Sequence, residues 1–232
     1  MEQPQQINNT SERLVDDLKS RLSTQSRISI AAASFSIYAF EAMKAELEKV
    51  EEMRFIFTSP TFVADKTKKE KREFYIPKLN RERNLYGTEF EIKLRNQLSQ
   101  KAIAKECAAW IRKKVKFKSN SSQEGMGGFL HLCDGEPSAL PVFDMNVPSK
   151  QHVYLPFDDF STTQLGCEKG NNVYTMVNVL PSPSAEAYLQ IFNQQWENDE
   201  KFKDVTARVL EYIETVYQEN APEYIYFIAL YN

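Results

Sequence analysis

The chain has 232 residues, 42% hydrophobic and 12% aromatic, enough to bury one large core and too apolar for a disordered polymer. Seven glycines with no GxxxxGK[ST] or GxGxxG run exclude a glycine-rich phosphate cradle, and three scattered cysteines without a CxxC exclude a disulfide scaffold and a structural zinc site. The net charge of −3 hides an asymmetry: residues 61–120 hold 17 Lys and Arg against 7 Asp and Glu, leaving 12 against 25 elsewhere. That window is a candidate surface for an anionic partner.

Residues 1–9 are polar, read as a disordered tail, and lack the basic-then-apolar pattern of a signal peptide. No apolar run approaches the roughly 20 residues of a membrane-spanning helix. With reduced thiols, this points to the cytoplasm and to no membrane partner. Asn9 and Glu12 have capping-box spacing ahead of a helical stripe of Leu14, Val15, Leu18 and Leu22. "RISIAAAS" (27–34) reads as a buried strand. Ser36 then caps a helix carrying Ala39, Phe40, Met43, Leu47 and Val50, and "MRFIFTSP" (53–60) is a second strand. Strand, helix and strand at this spacing predict a parallel βαβ unit.

"DKTKKEKREF" (65–74) is too charged for core and reads as an exposed loop. Thr88 and Glu91 open a helical stretch to about Lys114, with Ile103, Cys107, Trp110 and Ile111 on its apolar face. "VKFKS" (115–119) alternates as a strand with Lys116 and Lys118 on one side. Short strands follow at 128–135, 138–143 and 151–157, and a stronger one at 172–180. Ser182-Pro183 starts a helix bearing Tyr188, Ile191, Phe192 and Trp196, and Asp204 caps another bearing Val205, Val209, Ile213 and Val216. The apolar stretch 222–232 stops without a cap, as in a fragment of a longer polypeptide.

Three local features carry a family resemblance. "FSTTQLG" (160–166) is similar to the Gly-Ser-x-Asn-Phe-Thr-x-x-Gly-Leu turn of phospholipase D-like proteins, "NNVYTMVNVL" (171–180) to the strand that follows it, and "AYLQIFNQQWEN" (187–198) to the Phe-x-x-x-Trp helix. "KREFYIPKLNRERNLYGTEFEIKLRNQL" (71–98) resembles, more closely, the phospholipase D-like regions ahead of bacterial Swi/Snf-type helicases. The resemblance implies an α/β fold, half of a phospholipase D-like unit, with a mixed, mostly central β-sheet flanked by helices. It implies that residues 10–200 form this domain, and that 201–232 are a helical extension leading to a downstream motor. ATP and Mg would belong to that motor, with no cofactor in this chain.

The family's chemistry uses His-x-Lys-x4-Asp, with histidine as nucleophile, lysine on the nonbridging oxygens, and two motif copies facing each other. The chain has two histidines. From His131, Cys133 falls at the lysine place and Ser138 at the aspartate place. From His152, Tyr154 falls at the lysine place, while Asp159 has the right spacing. Neither register keeps a lysine. If the domain is active, His131, His152 and Asp159 are its catalytic candidates; otherwise the turn keeps a shape and has lost the chemistry.

Phosphate contacts are assigned to Lys66, Lys68, Lys69, Lys71, Arg72, Arg112, Lys113, Lys114, Lys116 and Lys118. Phe74 and Tyr75, beside the first run, are candidate base-stacking residues. The adjacent pairs Asp158-Asp159 and Glu51-Glu52 point apart along their elements, and no metal site is expected. The expected function is a catalytically degenerate accessory domain binding DNA or the motor. The alternatives are a surviving phosphodiesterase or nuclease, and a pure interaction module; a homodimer through the sheet edge is expected.

Overall fold

A computed structural model describes residues 3–59, 99–122, 124–134, 150–167 and 176–218. In chain order they form β1 (Gln5–Ile7), α1 (Leu14–Arg21), β2 (Arg27–Ala32), β3 (Ser34–Phe35), α2 (Ile37–Ala42), α3 (Lys44–Leu47), β4 (Glu52–Phe57), α4 (Ser99–Lys114), β5 (Val115–Asn120), β6 (Phe129–Asp134), β7 (Lys150–Leu155), β8 (Asp159–Phe160), β9 (Val177–Pro181), α5 (Ser184–Glu197), β10 (Phe202–Asp204) and α6 (Thr206–Gln218). Among these residues the main sheet has eight strands in the order β1-β9-β7-β6-β2-β4-β5-β10, and β3 pairs with β8 in a separate two-stranded sheet.

The expected βαβ unit is present. β2 and β4 pair in parallel, Ile30 opposite Phe55, and β5 extends the parallel group with Phe55 opposite Phe117. β6, β7, β9, β1 and β10 are added antiparallel, so the sheet is mixed. Strand side chains alternate, and both faces are buried. On one face Ile28, Ile30, Met53, Phe55, Phe57, Phe117 and Leu130 pack with Leu14 and Leu18 of α1, Cys107 and Ile111 of α4, and Val209 and Ile213 of α6. On the other, Ala31, Ile56, Phe129 and Val153 form a smaller core with Ala185 and Phe192 of α5 and Phe202.

Several expectations change. Residues 1–9 are no free tail where described: β1 pairs with β9, Gln5 opposite Val179, and Ile7 is fully buried. Nor is 201–218 an extension, since β10 pairs with β5 and α6 packs into the main core. The single helix expected from Ser36 is two, interrupted at Met43, whose backbone leaves helical geometry at φ −118° and ψ 12°. Ser36 does cap α2, its Oγ accepting from Tyr38 N and Ala39 N.

Asn9 and Glu12 form no capping box. Asn9 instead adopts φ 57° and its Oδ1 accepts from Leu14 N at 2.8 Å, while its Nδ2 donates to Gln164 O at 2.9 Å. The stretch 138–143, the Thr88–Glu91 box, residues 172–175, the side chain of Val216 and the segment 222–232 lie outside the described residues.

Candidate functional site

The "FSTTQLG" segment folds as a tight turn after β8. Ser161 Oγ accepts from Gln164 N, Ser161 O accepts from Leu165 N, and Gly166 closes the turn at φ 73°. A Cβ on Gly166 would lie 2.6 Å from Asn9 Oδ1, so the left-handed conformation and the close approach both require glycine there. The turn in turn holds the N-terminal segment, because Leu165 O accepts from Val15 N. Its described role is to lock two distant pieces of chain together.

His131 sits on β6, opposite Ser29 of β2 and Val153 of β7. It is 1% exposed, on the face that α5 covers. Its Nε2 donates to Gln151 Oε1 at 3.2 Å. Burial, with smaller contributions from Arg54 and His152, outweighs the Gln151 hydrogen bond and lowers its pKa from 6.5 to about 4. Cys133, at the lysine place of this register, is buried two residues on, and burial pushes its thiol pKa up. Ser138 lies outside the described residues.

His152 lies on β7 opposite Leu132, so its ring faces the other side of the sheet from His131. There Arg21 Nη1 is 2.7 Å from His152 Nε2. A guanidinium only donates, so this nitrogen is the acceptor and the proton sits on Nδ1. Arg21 is also held by Asp17, at 3.0 Å from Nε to each carboxylate oxygen, and by Gln5 Oε1 at 3.1 Å. Tyr154, at this register's lysine place, donates from its hydroxyl to Asp17 Oδ2 at 2.7 Å. Gln3, Gln5, Arg21, His152, Val179 and Pro181 line a cleft of about 250 Å³.

Asp159 is not brought to His152. It pairs with Ser34 in the small sheet, accepting from Ser34 Oγ at 2.7 Å. His152 shares its level in the main sheet with Ile28, through Leu132. From Ile28 to Ala32 the strand alone covers roughly 13 Å, and Ser34 lies beyond its end in the separate sheet. The two histidines on opposite faces, and an aspartate far along the strand direction, form no joint catalytic group.

Of the ten basic candidates, Lys66, Lys68, Lys69, Lys71 and Arg72 lie outside the described residues, as do Phe74 and Tyr75. Arg112 is ion-paired with Glu214. Lys114 Nζ donates to Glu48 O at 2.8 Å and Val50 O at 2.6 Å, which, with Trp110 Nε1 to Leu47 O at 2.9 Å, satisfies carbonyls at the end of α3. Lys118 Nζ donates to Trp196 O at 2.6 Å and to Asp199 Oδ1 at 2.5 Å. Lys113 and Lys116 are exposed.

Sequence reasoning passed over Arg54. Its Nη2 donates to Ser29 Oγ at 3.0 Å, and its guanidinium lies 5.0 Å from the Phe192 ring centre and 5.7 Å from that of Trp196. Lys118 Nζ lies 5.3 Å from the same Trp196 ring. These two cations fasten the end of α5 to the sheet. An arginine within an apolar strand run was the available signal.

Among the described residues no group of His, Cys, Asp and Glu is arranged to hold a metal ion, and no helix is long and apolar enough to cross a membrane. No family model matches the chain, and no curated protein does.

Proposed function

We propose that the chain is a phospholipase D-like accessory domain of a Swi/Snf-type helicase that has lost phosphodiester chemistry and acts by binding DNA. The observation that supports this best is the engagement of each histidine within the fold: His131 is buried beneath α5 with its Nε2 donating to Gln151, and His152 Nε2 accepts from Arg21. A nucleophilic histidine needs an accessible ring nitrogen with a lysine beside it to hold the phosphate, and Cys133 and Tyr154 stand at the two lysine places. Binding asks only for cations at the surface, which Lys113 and Lys116 supply; the sequence adds the basic run at 66–72, outside the described residues. ATP and Mg belong to the motor in this reading.

A second reading, a module that docks or dimerises without touching nucleic acid, draws on the engagement of Arg112, Lys114 and Lys118 in intramolecular contacts. Fluorescence anisotropy of labelled single- and double-stranded DNA across a salt series separates the two. The DNA-binding reading expects weak, sequence-independent binding that falls steeply with salt. Absence of binding at low salt, together with a dimer in light scattering, supports the docking module instead.

A further inference from the structure

The Arg21 guanidinium joins three elements: Asp17 within its own helix α1, Gln5 on β1 and His152 on β7. The junction requires a neutral imidazole, since His152 Nε2 accepts from a group that only donates. A proton added at Nε2 places an imidazolium N–H against a permanent cation, and the bond becomes a repulsion. Among the described residues, the charged and titratable groups on this side of the ring are Arg21 and Asp17 from α1, Tyr154 and Lys150 from β7, and Asp134 from β6, with Glu12 bonded to Gln5 beyond them. β1 and β9 present Gln5, Val179 and Pro181, which carry no charge. Asp17 already accepts from Arg21 and Tyr154, and Asp134 accepts from the Ser23 and Ser26 hydroxyls. His131 points away on the other face.

β1 has little support of its own. It is three residues long, at the sheet edge, held by its ladder to β9, the buried Ile7, a Gln6–Asn178 amide contact at 3.0 Å, a Gln5–Glu12 hydrogen bond at 2.9 Å and the Gln5–Arg21 bond.

We propose that His152 is a proton-operated latch: neutral, it holds Arg21 and through it β1; protonated, it releases Arg21, and β1 leaves the edge of β9. Acidification then opens the backbone edge of β9 while the central strands stay paired. This inference stands independently of the DNA-binding reading.

Amide hydrogen exchange at about pH 7.5 and about pH 5, corrected for intrinsic rates, tests it. In the wild type, protection of residues 5–7 and 177–179 is expected to fall about tenfold at the lower pH, while β2 and β4 keep theirs. His152→Gln keeps an acceptor for Arg21 and cannot titrate, so its β1 protection should change less than about twofold. Equal losses in both proteins, or no loss in the wild type, overturn the latch. In the wild type alone, the His152 ring nitrogen shifts must change with the same midpoint as the exchange; a different midpoint overturns it equally.

Discussion

His131 and His152 are one register step apart on adjacent strands, yet their rings lie on opposite faces of the sheet and hold opposite tautomers. His131 donates from Nε2 to Gln151, whereas His152 accepts at Nε2 from Arg21. A shift of one residue in either strand would have placed both on one side. The pairing keeps the two rings apart.

With each ring engaged within the fold and no lysine at either register, the domain is expected to show no phosphodiester turnover that depends on either histidine. A chromogenic phosphodiester assay on the wild type, His131→Gln and His152→Gln should give the same background. Turnover abolished by one substitution in a folded variant would restore the enzyme reading.

His131 makes stability depend on pH. In the unfolded chain the ring takes up its proton near 6.5, and in the folded chain only near about 4, because burial disfavours the charged form. Between those values the unfolded state binds more protons, so the stabilisation present above about 6.5 is lost as pH falls towards about 4. The loss is on the order of 3 kcal/mol. Urea midpoints of His131→Gln should lack this component while the wild type shows it.

The lysines at the start of β5 and the end of α4 should divide by role. Lys114→Gln removes the donor to two carbonyls after α3 and is expected to cost about 1–2 kcal/mol of stability. Lys118→Ala should lower Tm by freeing the end of α5. Lys113→Gln with Lys116→Gln should leave Tm unchanged and reduce the slope of log K against log salt by about 0.9 for each phosphate contact removed. A DNA salt slope identical to wild type in that double variant would remove these two lysines from the interface.

Gly166→Ala should destabilise by about 1–3 kcal/mol, since alanine at φ 73° is strained and its Cβ meets Asn9 Oδ1. Adding Asn9→Ala to it should relieve the clash but not the backbone strain. The double variant therefore should fall short of the two single losses added together, as thermal melts of the three proteins would show.

The sequence made the central architecture legible because its signals are local. Ile28–Ala32 and Met53–Phe57 are apolar runs at strand length, and Ser36 stands where a cap is needed between them. The Phe192–Trp196 spacing likewise places two stacked rings on one helix face, with centres 5.6 Å apart. β1 and β10 were not legible, since "QQI" and "FKD" carry no strand pattern and are strands only because an edge accepts them. The placing of the candidate site residues was not legible for a related reason. Spacing along the chain says that Asp159 follows His152 by seven positions, but not that the chain leaves the sheet between them. The face each histidine takes is set by pairing between strands distant in sequence, which no local pattern encodes.

The strand order carries a consequence for how the molecule is made. The outer strands β1 and β10 come from opposite ends of the described chain, and each covers the flank of a longer strand, β9 or β5. During synthesis β5 is finished well before β10 emerges, so its open backbone waits uncovered while more than eighty further residues are translated. β1 waits in the opposite sense, made first and without a partner until β9 follows. Completion of the sheet is thus tied to late, long-range closure at both margins, the step at which a growing chain is most exposed to pairing with its neighbours.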